Sequence, residues 1–158
     1  MNNAIVDFYL NTPNDQRIPT IDYVLKGCSY DLENCHTWCQ RAFPNYEPSE
    51  VVPGSPVLDD ETLDFLKRTQ KEKILELVFR YLRHYSEIPI SEFQHNNLRV
   101  TRLLKFLVML GYTDVARTVH MYCVLVYANN FGRQHVNMSM VYWIDALNYK
   151  RENNNETI

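Results

Sequence analysis

The sequence predicts an all-α fold, a compact single-domain bundle of about six helices with a long proline-rich connection. Apolar residues recur at helical spacing along most of the chain, and the apolar run VHMYCVLVY has no partner strand elsewhere. Only 4 of the 158 residues are glycine, which argues against glycine-rich phosphate loops and against a turn-rich β-sandwich. A chain of this length buries a core without needing a metal or a disulfide.

The chain is expected to divide into three regions that differ in composition. They are an extended N-terminal arm, a helical domain and a disordered polar tail, at residues 1–20, 21–149 and 150–158. The arm is expected to be extended because Pro13 and Pro19 interrupt it. The tail is expected to be disordered because its sequence, KRENNNETI, has only its last residue to bury as an apolar side chain.

Six helices are predicted from apolar spacing and from start and stop residues. They lie at about 21–26, 29–43, 60–85, 96–110, 114–129 and 136–149. Pro44 ends the second because proline cannot continue a helix. Asp59 or Asp60 caps the third, and its polar stretch KRTQKEK is either a break or the solvated middle of one long helix. Gly111 is placed as the C-cap of the fourth.

The charge pattern and the N-terminus exclude several classes of protein. A formal net charge of -3 gives no overall nucleic-acid footprint, and the basic cluster at 67–73 is interleaved with Glu72. We interpret that cluster as a solvated helix face, so nucleic acid is not an expected partner. The N-terminus has no basic leader, and no apolar run approaches the ~18 residues of a membrane span. We therefore expect an intracellular protein, cytoplasmic or nuclear, with reduced cysteines.

The stretch CHTWCQRAFP places two cysteines four residues apart. Wound as one helix from 32 to 43, Cys35 and Cys39 lie on the apolar face together with Leu32 and Phe43. A structural zinc takes four ligands, and this stretch offers two thiols and His36 at most. The pattern favours core packing of both thiols over a metal or redox site, so no metal ligand and no cofactor is predicted.

The stretch HNNLRVTRLLKFLVMLG carries basic residues at a helix start, where acidic residues are preferred. His95, Arg99 and Arg102 therefore need a negative partner. One interpretation is an internal carboxylate, such as Asp31 or Glu33. The other is an anionic ligand, because free helix amides and arginine side chains together form an anion site. Both interpretations stay open at the level of sequence.

These two stretches, together with FYLN at 8–11, resemble the conserved region of the opioid growth factor receptor family. The family pattern has a His-x-Tyr-Ile-Gln-Trp-Leu-Phe-Pro stretch and a His-Asn-Asn-Leu-Arg-Ile-Thr-Arg stretch, in the same order and at similar separation. The resemblance covers about residues 8 to 149. It departs at Trp38, Cys39, Arg41 and Ala42, where the family has tyrosine, isoleucine, tryptophan and leucine. An isoleucine at the position of Cys39 agrees with core packing of that thiol.

The resemblance implies an α-helical domain with no transferable catalytic residues. Its best-known member is a receptor for an enkephalin peptide that acts at the nucleus and restrains cell proliferation. We therefore predict a non-enzymatic binding or regulatory domain that engages a peptide or protein partner in growth regulation. The alternative is an anion- or nucleotide-binding protein, or an enzyme, that uses a His/Arg pocket for a small anionic ligand. The residues predicted to bind the ligand are His36, Gln40, His95, Asn96, Arg99 and Arg102.

Overall fold

The computed structural model describes residues 1–13, 18–88, 95–131 and 138–150, and over these ranges the chain is helical with no strand. The all-α prediction is therefore confirmed. The helices of the described residues are α1 (Asn3–Tyr9), α2 (Ile21–Lys26), α3 (Ser29–Asn34), α4 (Cys39–Ala42), α5 (Asp60–Thr69), α6 (Lys71–Glu87), α7 (His95–Met109), α8 (Thr113–Phe131) and α9 (Met138–Leu147). Within the same ranges, none of them has the length and apolarity to cross a membrane. The tail from 151 onward lies outside the described residues.

Helix α1 lies inside the arm that was predicted to be extended, and the prediction is wrong for residues 3–9. The side chain of Asn2 accepts a hydrogen bond from the Ala4 amide at the helix start. Ile5, Phe8 and Tyr9 are fully or almost fully buried. The prolines that suggested an extended arm lie downstream of this helix, so they do not prevent it, and the chain leaves the helix at Asn11, whose φ is +58°.

The helix predicted from 29 to 43 is two short helices, α3 and α4, separated by an extended turn at Cys35. Helix α3 stops because carbonyl groups in its last turn and at its C-cap accept hydrogen bonds from side chains. The indole Nε1 of Trp38 donates to the Leu32 carbonyl at 3.0 Å, and Arg99 donates to the Cys35 carbonyl at 3.1 Å. These bonds replace the helical ones that a continuous helix would make.

The third predicted helix is also two helices, α5 and α6, that break at Gln70. The Gln70 backbone has φ -119° and ψ 13°, outside the helical region. Asp59 is the N-cap of α5, where its carboxylate accepts from the Thr62 amide at 2.7 Å. With the N-terminal helix α1, these two breaks account for nine described helices where about six were predicted.

Helix α7 lies in the middle of the fold and packs against α8 and α9. An aromatic cluster fixes α4 beside it. The ring of Phe43, which directly follows α4, lies 5.9 Å from that of Tyr81 on α6 and 6.1 Å from that of Phe106 on α7. All three side chains are fully buried. This packing holds the segment from 36 to 43 against α6 and α7 and so positions the side chains described below.

Gly111 ends α7 in the left-handed conformation, with φ +82°, as the sequence predicted for a C-cap glycine. A Cβ built at this position meets no atom within 4 Å, so a substitution there strains only the backbone. We expect Gly111→Ala to lower the free energy of unfolding by about 1 kcal/mol, measured by urea denaturation. Gly111→Asn is the control, because asparagine tolerates this conformation, and it should lose less. Equal losses for both variants would contradict the backbone explanation.

Candidate binding cleft

A cleft of about 410 Å³ lies between the first half of α7 and the chain on either side of α4. We call it the α7 cleft. One part of the lining comes from α7 and another from the segment from 45 to 52, which belongs to the proline-bearing connection between α4 and α5. The lining includes His36, Cys39, Gln40, Asn45, Glu47, Glu50, Val51, His95, Leu98, Arg99, Arg102 and Lys105.

The structure brings together most of the residues that the sequence predicted to bind a ligand. The lining includes His36, Gln40, His95, Arg99 and Arg102. The imidazole rings of His36 and His95 are 5.3 Å apart and nearly perpendicular. Asn96 is not part of the lining. It is buried, and its Nδ2 donates a hydrogen bond to Glu33 at 2.8 Å. Asn96 therefore has a structural role.

Glu33 on α3 is the carboxylate that meets the basic start of α7. Its Oε1 lies 3.1 Å from Nε2 of His95, and its Oε2 lies 3.3 Å from Nε2 of His84 and 3.7 Å from the Arg99 guanidinium. Of the two carboxylates that the sequence suggested, the described structure uses Glu33 and not Asp31 for this purpose. A negative group at this position also suits the dipole of α7.

Arg99 is a structural cation rather than a free one. Its side chain is 7% exposed, and it donates to Asn96 Oδ1 at 3.2 Å and to the Cys35 carbonyl at 3.1 Å. Its guanidinium also lies 5.2 Å from the centre of the Trp38 ring, in cation–π contact. Arg99 thus joins α7 to the turn between α3 and α4, and Glu33 compensates its charge.

The two histidines beside Glu33 are held neutral near pH 7. Burial lowers the pKa of His84 to about 4, and the positive charge of Arg99 acts in the same direction. Burial and Arg99 also lower the pKa of His95, against the opposing effect of Glu33. The ion pair in this cluster is therefore Glu33 with Arg99, and the imidazoles serve as neutral polar neighbours.

Arg102 differs from Arg99 because no carboxylate oxygen of the described residues lies within 4 Å of it. It donates from Nη1 to the Phe43 carbonyl at 3.3 Å. Burial lowers the pKa of its guanidinium, although arginine stays protonated at neutral pH. Lys105 follows one turn later in the same lining, with its ammonium 5.2 Å from the Tyr149 ring. Arg102 and Lys105 make this end of the cleft positive.

The part of the lining that comes from the connection carries acidic groups. Glu47 and Glu50 belong to the lining, and Glu47 accepts a hydrogen bond from the Tyr149 hydroxyl at 2.9 Å. The site therefore has positive charge on α7 and negative charge on the connection. Such an arrangement suits a ligand with both a negative group and hydrogen-bond donors better than it suits a polyanion.

The cysteines of CHTWCQRAFP do not share a helix face, because the turn at Cys35 separates α3 from α4. Cys39 is fully buried, and burial raises the pKa of its thiol. Cys35 is half-buried against the core, with its sulfur 3.6 Å from the Thr37 hydroxyl. No cluster of three or more metal-ligating side chains occurs within 1–13, 18–88, 95–131 and 138–150. The buried thiol of Cys39 packs as a small apolar group.

Several residues of the site were not singled out in the sequence as binding residues. His84 follows Arg83 in a charged helix sequence, although its side chain is 0% exposed, and Asn45 follows a proline in a segment with no helical period. Lys105 belongs to the HNNLRVTRLLK stretch. It lies three residues after Arg102, and this spacing, which puts both side chains on one helix face, was the signal that could have identified it.

Comparisons of the chain with protein-family models, curated proteins and solved structures found no match. The resemblance to the opioid growth factor receptor family therefore stays a prediction, carried mainly by residues 36–44 and 95–111. These two stretches are far apart in sequence, and the fold places both of them beside one cleft.

Proposed function

We propose that the protein is a non-enzymatic binding and regulatory domain of the opioid growth factor receptor type. Its ligand is a peptide or a segment of a protein partner, held in the α7 cleft. The proposed cellular setting is intracellular growth regulation, as the resemblance implies. The proposal joins that resemblance to a cleft whose lining carries both positive and negative side chains, which is a chemistry suited to peptides.

One observation carries the proposal: the two resembling stretches meet at the cleft, and there Arg102 has no carboxylate of the described residues within ion-pair distance. His36 and His95, from different stretches, have ring centres 5.3 Å apart. Arg99 is compensated by Glu33, whereas Arg102 bonds only to a main-chain carbonyl among its described hydrogen bonds. Glu47 acts on the Arg102 guanidinium from beyond ion-pair distance, and a partly buried arginine with no carboxylate within 4 Å favours an anionic group on a ligand.

The second candidate is an anion- or nucleotide-binding protein, or an enzyme, that uses the same lining. Arg102 and Lys105 favour this candidate because they form a positive end of the cleft. Glu47 and Glu50 oppose it, because the triphosphate of a nucleotide would lie in the same 410 Å³ as two carboxylates. His95 is held neutral by burial and is committed to Glu33, so it is poorly placed as a general acid.

The test is a selection of random octapeptides with free termini on the immobilised protein, followed by titration into the ¹⁵N-labelled protein. We expect selected peptides to shift the amide resonances of the cleft lining. We expect Arg102→Gln to weaken binding by at least about 10-fold, because a charge-assisted hydrogen bond is lost. Arg117→Gln is the matched control, since that arginine is exposed on α8 and outside the lining.

Two results would contradict the proposal. One is that no peptide is selected or that the shifted resonances lie away from the cleft. The other is that ATP or inorganic phosphate shifts the cleft resonances while peptides do not, which would establish the second candidate. Variants are compared only after circular dichroism shows the same melting behaviour as the control.

A further inference from the structure

Two buried amide side chains in the α7 cleft lack hydrogen bonds on their carbonyl oxygens. Gln40 is 7% exposed and Asn45 is 5% exposed. Among the described residues, neither Gln40 Oε1 nor Asn45 Oδ1 has a hydrogen-bond partner. Both side chains belong to the cleft lining. Buried amides are normally satisfied, and a ligand in the cleft that supplies hydrogen-bond donors would satisfy both oxygens.

A peptide group has the matching chemistry for such side chains. A carboxamide presents a carbonyl oxygen and an NH₂ group side by side, as the main chain of a peptide presents C=O and N–H. Each amide therefore pairs with a peptide group in either rotation of its side chain. Phosphate or sulfate offers acceptors almost exclusively and would leave the two carbonyl oxygens without donors.

The cations of the cleft lie near the segment that carries these amides. Arg102 donates to the carbonyl of Phe43, two residues before Asn45. Lys105 follows Arg102 on the same helix and lines the same cleft. Arginine binds a carboxylate with two parallel hydrogen bonds, and lysine adds a point charge. The structure thus places a carboxylate-binding pair beside peptide-binding amides.

The size and the rim of the cleft suit a chain end. Its volume of about 410 Å³ lies at the low end of the roughly 300–1,000 Å³ of ligand pockets. Leu98 on α7 and Val51 on the connection are 53% and 62% exposed and offer apolar contact to one side chain. A carboxylate joined directly to peptide groups and followed by one side chain is the C-terminal end of a peptide.

We propose that the α7 cleft recognises the free C-terminal carboxylate of its peptide ligand, an inference that rests on the proposed function. Arg102 and Lys105 bind the carboxylate, while Gln40 and Asn45 bind the last peptide groups. Glu47 and Glu50 line the same cleft, where their charge favours a basic residue upstream in the peptide and disfavours phosphate.

The experiment uses two libraries of N-acetylated hexapeptides that are randomised at the last three positions. One library has free C-terminal carboxylates and the other has C-terminal amides. Peptides that co-elute with the full chain in size-exclusion chromatography are identified by mass spectrometry. The affinity of each selected sequence is then measured by calorimetry in both forms. We expect the carboxylate library to yield binders and amidation to weaken them by at least about 10-fold.

The variants separate carboxylate recognition from general binding. Arg102→Gln should remove most of the difference between acid and amide forms, and Arg117→Gln should retain it. Lys105→Gln is a second variant that should reduce the difference, and it serves alone if Arg102→Gln does not fold. Equal affinity of acid and amide forms, with resonance shifts still in the cleft, would overturn this inference and leave the proposed function standing. Absence of binders from both libraries would overturn both.

Discussion

Replacement of Arg99 by alanine should lower the free energy of unfolding by about 3 kcal/mol, measured by urea denaturation at neutral pH. The substitution leaves Glu33 with two neutral histidines in place of a cation. It also removes the donor to the Cys35 carbonyl and the cation–π contact with Trp38. A buried ion pair loses most when only one partner is removed, because the other charge stays uncompensated.

The control for this prediction is Arg117→Ala. That arginine has an exposed side chain and lies 3.7 Å from the carboxylate of Asp114, so its removal should change stability by less than about 1 kcal/mol. The double variant Glu33→Gln with Arg99→Ala should lose less than the sum of the two single variants. Additive losses would show that the two side chains act independently, against the cluster described here.

The stability of the protein should fall as the pH drops from 6.5 toward 4, because His84 is neutral in the folded state. Its pKa is about 4 when folded, against an ordinary value of 6.5. Between pH 6.5 and 4, His84 is therefore protonated in the unfolded chain but stays neutral in the folded chain. The full free energy of unfolding is therefore present above pH 6.5. It decreases by up to about 3 kcal/mol as the pH falls toward 4. The free energy of unfolding from urea denaturation at each pH measures it.

His84→Gln should flatten the pH dependence between 6.5 and 4, since glutamine does not titrate. His120→Gln is the control: burial lowers the pKa of His120 as well, but its side chain is only half-buried, so most of the slope should remain. If His84→Gln does not fold, the ring protons of His84 in the native protein can be followed by NMR. Titration of that ring near pH 6.5 would contradict the prediction.

The sequence predicts those parts of the fold that depend on local backbone chemistry. Asp59 caps α5 and Gly111 ends α7 with a positive φ, both as expected, because a cap and a C-terminal glycine need only their immediate neighbours. The break of α3 was missed because it depends on the side chains of Trp38 and Arg99, which the packed structure directs to the Leu32 and Cys35 carbonyls. Apolar spacing carries no information about such donors.

The candidate site was predictable where charge conflicts with the helix dipole. The basic start of α7 required a negative partner, and Glu33 was one of two carboxylates that the sequence offered. The difference between Arg99 and Arg102 was not predictable, since both lie in the same helix start and only tertiary packing brings Glu33 to one of them. Asn45 was missed for the same reason, because its burial follows from the path of the connection between α4 and α5.

The placement of the two tryptophans gives the molecule two separate optical reporters. Trp38 lies under the guanidinium of Arg99, directly before the cleft residue Cys39 in the chain. Trp143 lies on the far side of α7, with its Nε1 bonded to the Asn97 carbonyl and its ring 6.4 Å from that of His120. Because indole emission responds to nearby charge, a Trp143→Phe variant would leave a fluorescence signal from the cleft side alone. Ligand titrations could then be followed without any added label.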